Sequence, residues 1–267
     1  MKKILFTDIL GTIRVPDNTF QECIETELLG DYFNEFLDNG NYLAFVTRTG
    51  IGHYNVNAIM ETSFLRYYNV IYPEFWDQVS CFCVGTVNEN LYDNIEVFKE
   101  NNISYYRSFP NRNYDIFNNM PNELIVTKIN NKADAIDIKL NEIDGTCKIY
   151  AIGDDESDVS MFIRAIEKGG QASFILSSNI YPPDIFTSLD PNDAKKIINR
   201  NYSAIGQLKE SKFSSFSDMW KEFAESEKSL YLYRAETEKG IENAKKYINK
   251  IDFYWNFPSY YQRVLKK

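Results

Sequence analysis

Apolar residues fall along this chain in two patterns, short unbroken runs and longer stretches spaced three to four apart. The first pattern suits strands buried on both faces, and the second suits helices with one apolar face. Ile4 to Phe6 forms the first short run, which stops at Asp8 before a turn at Gly11-Thr12. After a loop over 14–18, the spacing of Ile24, Leu28, Phe33, Phe36 and Leu37 predicts a helix over 20–37. Asn39-Gly40-Asn41 ends it, glycine being the usual residue just past a helix. A second short run over 42–46 leads to Thr47-Arg48-Thr49, and a helix over 57–68 and a strand over 78–84 follow. Residues 85–127 read as irregular, with a helix candidate over 91–100. A helix then starts at Lys132 with Ala133, Ile136 and Leu140 on one face. A strand over 147–152, a helix over 159–168 stopped by Gly169-Gly170, and a strand over 172–176 complete the alternation.

Alternating β and α units of this kind argue for an α/β fold with a doubly wound, mostly parallel sheet. Beyond Pro182-Pro183, a short helix over 193–198 leads to a core boundary near Ile205-Gly206. Two helices over 216–238 and 240–252 form a C-terminal helical extension over 206–267. The second places Ile241, Ala244, Tyr247, Ile248 and Ile251 on one face. Its aromatic close, Phe253-Tyr254-Trp255-Asn256-Phe257-Pro258, has three readings: packing on the core, a homodimer contact through the C-terminal helices, or a recognition arm.

Composition narrows the chemistry. The 267 residues are 44% hydrophobic, enough for a sizeable core. A formal net charge of −9 argues against general nucleic-acid binding and against a membrane surface, since neither attracts an acidic field. A small phosphorylated ligand responds to its local site instead. No apolar run approaches membrane-span length, and Met1-Lys2-Lys3 leads into a run too short for a signal peptide, so a cytoplasmic setting is expected. Cys23, Cys81, Cys83 and Cys147 form no C-x-x-C pair. Cys81 and Cys83 alternate within an apolar segment, as core thiols do. His53 is the one histidine, in a glycine-rich turn, which rules out a histidine metal cluster and leaves chemistry to carboxylates. Tyr105, Tyr106, Phe109 and Tyr114 line a substrate mouth or pack locally.

Acids end two of the predicted strands: Asp8 the first, and Gly153-Asp154-Asp155-Glu156-Ser157-Asp158 the fourth. Ligands of an open α/β sheet bind at the carboxyl ends of its strands. Acids crowded there repel one another unless a cation or hydrogen bonds compensate. Oxygen donors on a turn suit Mg²⁺, with Asp8 and Asp154 as the pair to hold it.

These two segments resemble the first and fourth motifs of the haloacid dehalogenase-like (HAD) superfamily of phosphohydrolases. Those motifs are an apolar strand followed by Asp-x-Asp-Gly-Thr, and an apolar strand followed by Gly-Asp-x-x-x-Asp. Asp8, Gly11 and Thr12 match the first, and Gly153, Asp154 and Asp158 match the fourth. Leu10 stands where the second Asp of the first motif belongs. The resemblance implies a Rossmann-like core over 1–85 and 124–205 and a small cap insertion over 86–123. It implies a Mg²⁺-dependent phosphatase acting on a small phosphorylated substrate through an aspartyl-phosphate on Asp8. By the same resemblance, Thr47 hydrogen-bonds a phosphate oxygen, and Lys132, with Lys128 as alternate, offsets the charge of carboxylate and phosphate. Gly11 and Thr12 belong to the substrate-binding turn, and Arg48 either clamps phosphate or is solvated. The Mg²⁺ ligands are Asp8, the Leu10 backbone carbonyl and Asp154, with Asp158 behind them or as an occasional ligand. Thr47 and Lys132 also have plain readings, as a β-branched strand end and an exposed helix lysine.

Leu10 bears on rate, because losing general acid–base help costs on the order of 10²–10⁴. Three readings stand. The chain is a slow phosphatase, or one restricted to good leaving groups such as anhydrides and acyl phosphates. It is a phosphotransferase with a long-lived aspartyl-phosphate. Or it is a catalytically impaired module that binds a phosphorylated ligand or protein partner.

Overall fold

The computed structural model describes residues 1–9, 12–13, 19–48, 64–84, 95–108, 121–153, 158–175, 250–254 and 257–267. The strands, in chain order, are β1 (Lys2–Thr7), β2 (Tyr42–Arg48), β3 (Val79–Val84), β4 (Ile95–Glu100), β5 (Ile103–Ser108), β6 (Leu124–Ile129), β7 (Cys147–Gly153), β8 (Gln171–Ile175) and β9 (Ile251–Tyr254). They form one nine-stranded sheet in the order β4-β5-β6-β3-β2-β1-β7-β8-β9. Pairing is parallel from β6 through to β9 and antiparallel within β4-β5-β6. The protein is therefore α/β with a mostly parallel mixed sheet. The chain leaves β1 on the β2 side and later returns as β7 on the other side, so the strand order reverses at β1. The crevice at such a reversal, outside the carboxyl ends of the strands, is where open sheets take ligands.

The central strands have few exposed residues because helices cover both faces. On one face α1 (Thr19–Asp38) and α2 (Leu65–Val70) pack with α5 (Phe257–Tyr260) and the π-helical turn Tyr261–Leu265. That cluster takes Leu5, Leu43, Phe45, Tyr150 and Ile152 from the sheet. On the other face α3 (Lys132–Glu142) and α4 (Val159–Glu167) cover Ile4, Phe6, Ala44, Val46, Ile149 and Ala151. Alternate residues of one strand thus enter different cores, as the pleat requires. Gly40 ends α1 with a positive φ of 70°, donating its N–H to the Leu37 carbonyl. Phe33, Phe36 and Leu37 are buried as the spacing predicts. Among the described residues, no helix is long and apolar enough to cross a membrane.

Three expectations are corrected. The stretch over 85–127, read as irregular, holds β5 and most of β6. The helix candidate over 91–100 is, in its described part, the strand β4, paired with β5 from Ile95↔Ser108 to Glu100↔Ile103. Asn101 and Asn102 both take positive φ, 48° and 64°, the backbone of a two-residue hairpin turn. Phe98 stacks on Tyr105 across the hairpin at 5.1 Å, and Tyr106 is buried on the opposite face, so both aromatics pack. The hairpin extends the sheet from β6, and its turn lies at the carboxyl end of the parallel strands. The helix over 240–252 ends differently: Ile251 and Asp252 begin β9, alongside Ala172 and Ser173 of β8. Sheet pairing over a long sequence distance there overrides the local helical period.

The described part of the aromatic close packs on the core. Phe257 lies against Tyr32, Phe33, Tyr260 and Tyr261, and Lys3 Nζ donates to the Leu265 carbonyl at 2.6 Å. These residues belong to the sheet and core. The loop over 14–18, His53, residues 57–63, the helix over 193–198 and the one over 216–238 lie outside the described residues. Phe257→Ala is expected to lower unfolding free energy by about 3–5 kcal/mol, measured by urea denaturation. A loss below about 1 kcal/mol would show that the segment is not part of the core.

Candidate functional site

The site begins with the register of β1 against β7. Lys2↔Cys147 to Thr7↔Ile152 are paired, and the ladder runs one residue further, Asp8 N–H donating to the Ile152 carbonyl at 3.0 Å. Asp8 is thereby fixed just past the strand, at the strand-order reversal. By alternation its side chain shares the face of Ile4 and Phe6, which α3 and α4 cover.

Lys132 comes to the same place as the first residue of α3. Asn131 caps that helix, its side-chain oxygen accepting from Ala133 N at 2.8 Å. The Asp134 carboxylate accepts in return from the Asn131 and Asn130 backbone N–H groups, at 3.1 and 3.0 Å. This reciprocal capping fixes the first turn, and with it the base of the Lys132 side chain. Asp158 arrives from the end of β7, one residue before α4. Gly153 makes this possible, since a Cβ there would overlap the Asp158 carboxylate.

The three side chains meet. Lys132 Nζ lies 2.7 Å from Asp8 Oδ1 and 2.6 Å from Asp158 Oδ1. The residues are 3%, 4% and 0% exposed respectively. Charges removed from water this far are tolerable when paired at hydrogen-bond distance. Two carboxylates and one ammonium thus share one buried point at the end of the sheet. The donors are oxygens alone, the type Mg²⁺ takes. Asp8 and Asp158 would contribute from the described residues, while Leu10 and Asp154 lie outside them. Among the described residues, no three metal-binding side chains come together. The donor type fits a hard cation.

Other expected site residues are placed as follows. Thr47 is buried at the carboxyl end of β2, the strand beside β1, where alternation puts it on the face of Leu43 and Phe45 and not on that of Asp8. Arg48 follows it and is exposed. Thr12 is fully buried, while Gly11 lies outside the described residues. Lys128 sits within β6, half-buried and opposite Cys83 and Ser104; Lys132 is the lysine that reaches Asp8. Cys81 and Cys83 are buried. Burial pushes the Cys81 thiol well above its usual range, so it is a protonated core group and not a thiolate nucleophile. The capping pair Asn131 and Asp134 is an addition to the expected set. Its signal is in the sequence: Asn-x-x-Asp ahead of an apolar helical period.

No family model matches the chain, and no curated protein matches it. Lys132→Met is expected to cost about 3–5 kcal/mol, because it removes the ammonium that pairs with both buried carboxylates. Lys128→Met is expected to cost less than about 1 kcal/mol. Urea denaturation of both variants checks the pair, and equal losses would contradict the assignment.

Proposed function

We propose that the chain is a HAD-like phosphohydrolase, Mg²⁺-dependent, that transfers a phosphoryl group to Asp8 and then to water. The meeting of Asp8, Lys132 and Asp158 at the strand-order reversal carries this reading. Three residues far apart in sequence, each on a different element, converge in the order the resemblance requires. The finer fold follows from the same reading: a doubly wound HAD-like core, with the β4–β5 hairpin part of a small insertion at the site end of the sheet.

The chain's own residues would act in sequence. An Asp8 carboxylate oxygen attacks phosphorus; the new oxygen–phosphorus bond forms as the bond to the leaving oxygen breaks, its electron pair departing with that oxygen. Lys132, already 2.7 Å from Asp8, offsets the charge of carboxylate and phosphoryl oxygens together. Asp158 holds the ammonium in place from its other side. When bound, Mg²⁺ supplies further charge neutralisation for the approaching phosphate. Water then splits the aspartyl-phosphate and restores the carboxylate. Leu10 offers no proton to the departing oxygen, so the favoured substrates carry leaving groups stable as anions, such as acyl phosphates and anhydrides.

Leu10 also favours a second reading, a module that binds a phosphorylated ligand or partner without turning it over. Phosphate release from acetyl phosphate, pyrophosphate and a phosphomonoester panel separates the two. The hydrolase reading predicts release that EDTA and Asp8→Asn both abolish. It predicts that Leu10→Asp raises phosphomonoester turnover on the order of 10²-fold or more. A silent wild type with an active Leu10→Asp variant would establish the binding module. Silence in all three, without Mg²⁺ or vanadate binding, would overturn the site.

A further inference from the structure

We infer that Tyr67 is a positioning residue for this site, its hydroxyl anchoring the segment that presents Asp8. The inference rests on the reading of Asp8 as the reacting group. The Tyr67 hydroxyl donates to the Ile13 carbonyl at 3.3 Å. Ile13 N–H in turn donates to the Ile9 carbonyl, and Asp8 N–H to Ile152 of β7, both at 3.0 Å. Asp8 is thus fastened to the sheet, Ile13 to Ile9, and Ile13 again to Tyr67. Ile9, Thr12 and Ile13 are buried, so the Ile13 carbonyl has poor access to water as a substitute partner.

The anchor itself is held firmly. The Tyr67 ring stacks on Phe45 at 5.2 Å and meets Phe33 edge-on at 6.2 Å. A helix as short as α2 keeps no fixed place by its own propensity; its neighbours clamp it. Asn34 of α1 donates to the Val70 carbonyl and accepts from Tyr72 N–H, both at 2.9 Å. Trp76 Nε1 donates to the Ile71 carbonyl at 3.2 Å. Gly30 lets α1 approach, since a Cβ there would stand 2.9 Å from Val70 Cβ. A phenylalanine would fill the same aromatic slot, as its neighbours Phe33 and Phe45 do. A hydroxyl on a ring 1% exposed is costly without a partner, and its bond to Ile13 gives it a use.

Tyr67→Phe tests this by amide hydrogen exchange on the full chain, with Tyr68→Phe as a control on the same helix. Tyr68 donates to Val79 and does not touch the segment after β1 in this way. The expected result is an Ile13 amide exchanging about tenfold faster in Tyr67→Phe. Leu5 and Phe6 stay unchanged, and Tyr68→Phe leaves Ile13 as in wild type. The kcat for acetyl phosphate falls with little change in KM. Unchanged Ile13 exchange, or equal acceleration of Leu5 and Phe6, would overturn the inference. Selective loosening of Ile13 in a chain without phosphate release supports the anchor and counts against the hydrolase reading.

Discussion

Three ionisable groups with almost no access to water have to be held within hydrogen-bond distance, and the surrounding structure is arranged around that demand. An ammonium between two buried carboxylates is stable when its geometry is tight and strongly destabilising when one partner is missing. The Lys132 contacts, 2.7 Å to Asp8 and 2.6 Å to Asp158, depend on several unrelated placements. The β1–β7 register sets the height of Asp8. The capping pair Asn131 and Asp134 sets the start of α3. The bare Cα of Gly153 leaves room for Asp158. A slip of one residue in β1 would turn Asp8 to the opposite face, where α1 and its aromatic neighbours pack.

The parts of this arrangement that were legible in the sequence are those set by local patterning. β1, β2 and β7 are short apolar runs because both their faces are buried, and acids or hydroxyls after such runs mark the carboxyl ends of strands. Lys132 was legible as the first residue of a helix through the period of Ala133, Ile136 and Leu140. Its choice over Lys128 was not, because that depends on which lysine stands across from Asp8 in space. The β4 strand was misread since Phe98 and its charged neighbours carry no clear period; the Asn101-Asn102 turn and the pairing with β5 decide it. β9 was misread for the converse reason: Ile251 continues a helical spacing, and the neighbouring β8 draws it into the sheet. Tyr67 gave no signal, as its partner Ile13 is remote in sequence and is met through the backbone alone.

The chemistry follows from what the cluster keeps and what it lacks. On the phosphohydrolase reading proposed above, Asp8, Lys132 and Asp158 form a charge arrangement suited to a phosphoryl group. On the same reading, Leu10 supplies no proton donor where the resemblance expects an acid. A site of this kind holds its charges in place before substrate arrives, which is where electrostatic catalysis gains most. As a phosphohydrolase it would lack assistance to the leaving group, at a cost on the order of 10²–10⁴ with alkoxide leaving groups and much less with acyl or phosphoryl ones.

The most direct test is to trap the phosphoryl group on the protein. Wild-type and Asp8→Asn chains would be mixed with Mg²⁺ and acetyl phosphate, quenched in acid, reduced with borohydride and digested with trypsin. Cleavage after Lys3 and Arg14 gives a peptide over 4–14 whose one acid is Asp8. The account predicts that this peptide carries the reduced acyl-phosphate product in wild type and not in Asp8→Asn. Modification of a different peptide, or none at all under conditions where phosphate is released, would contradict it.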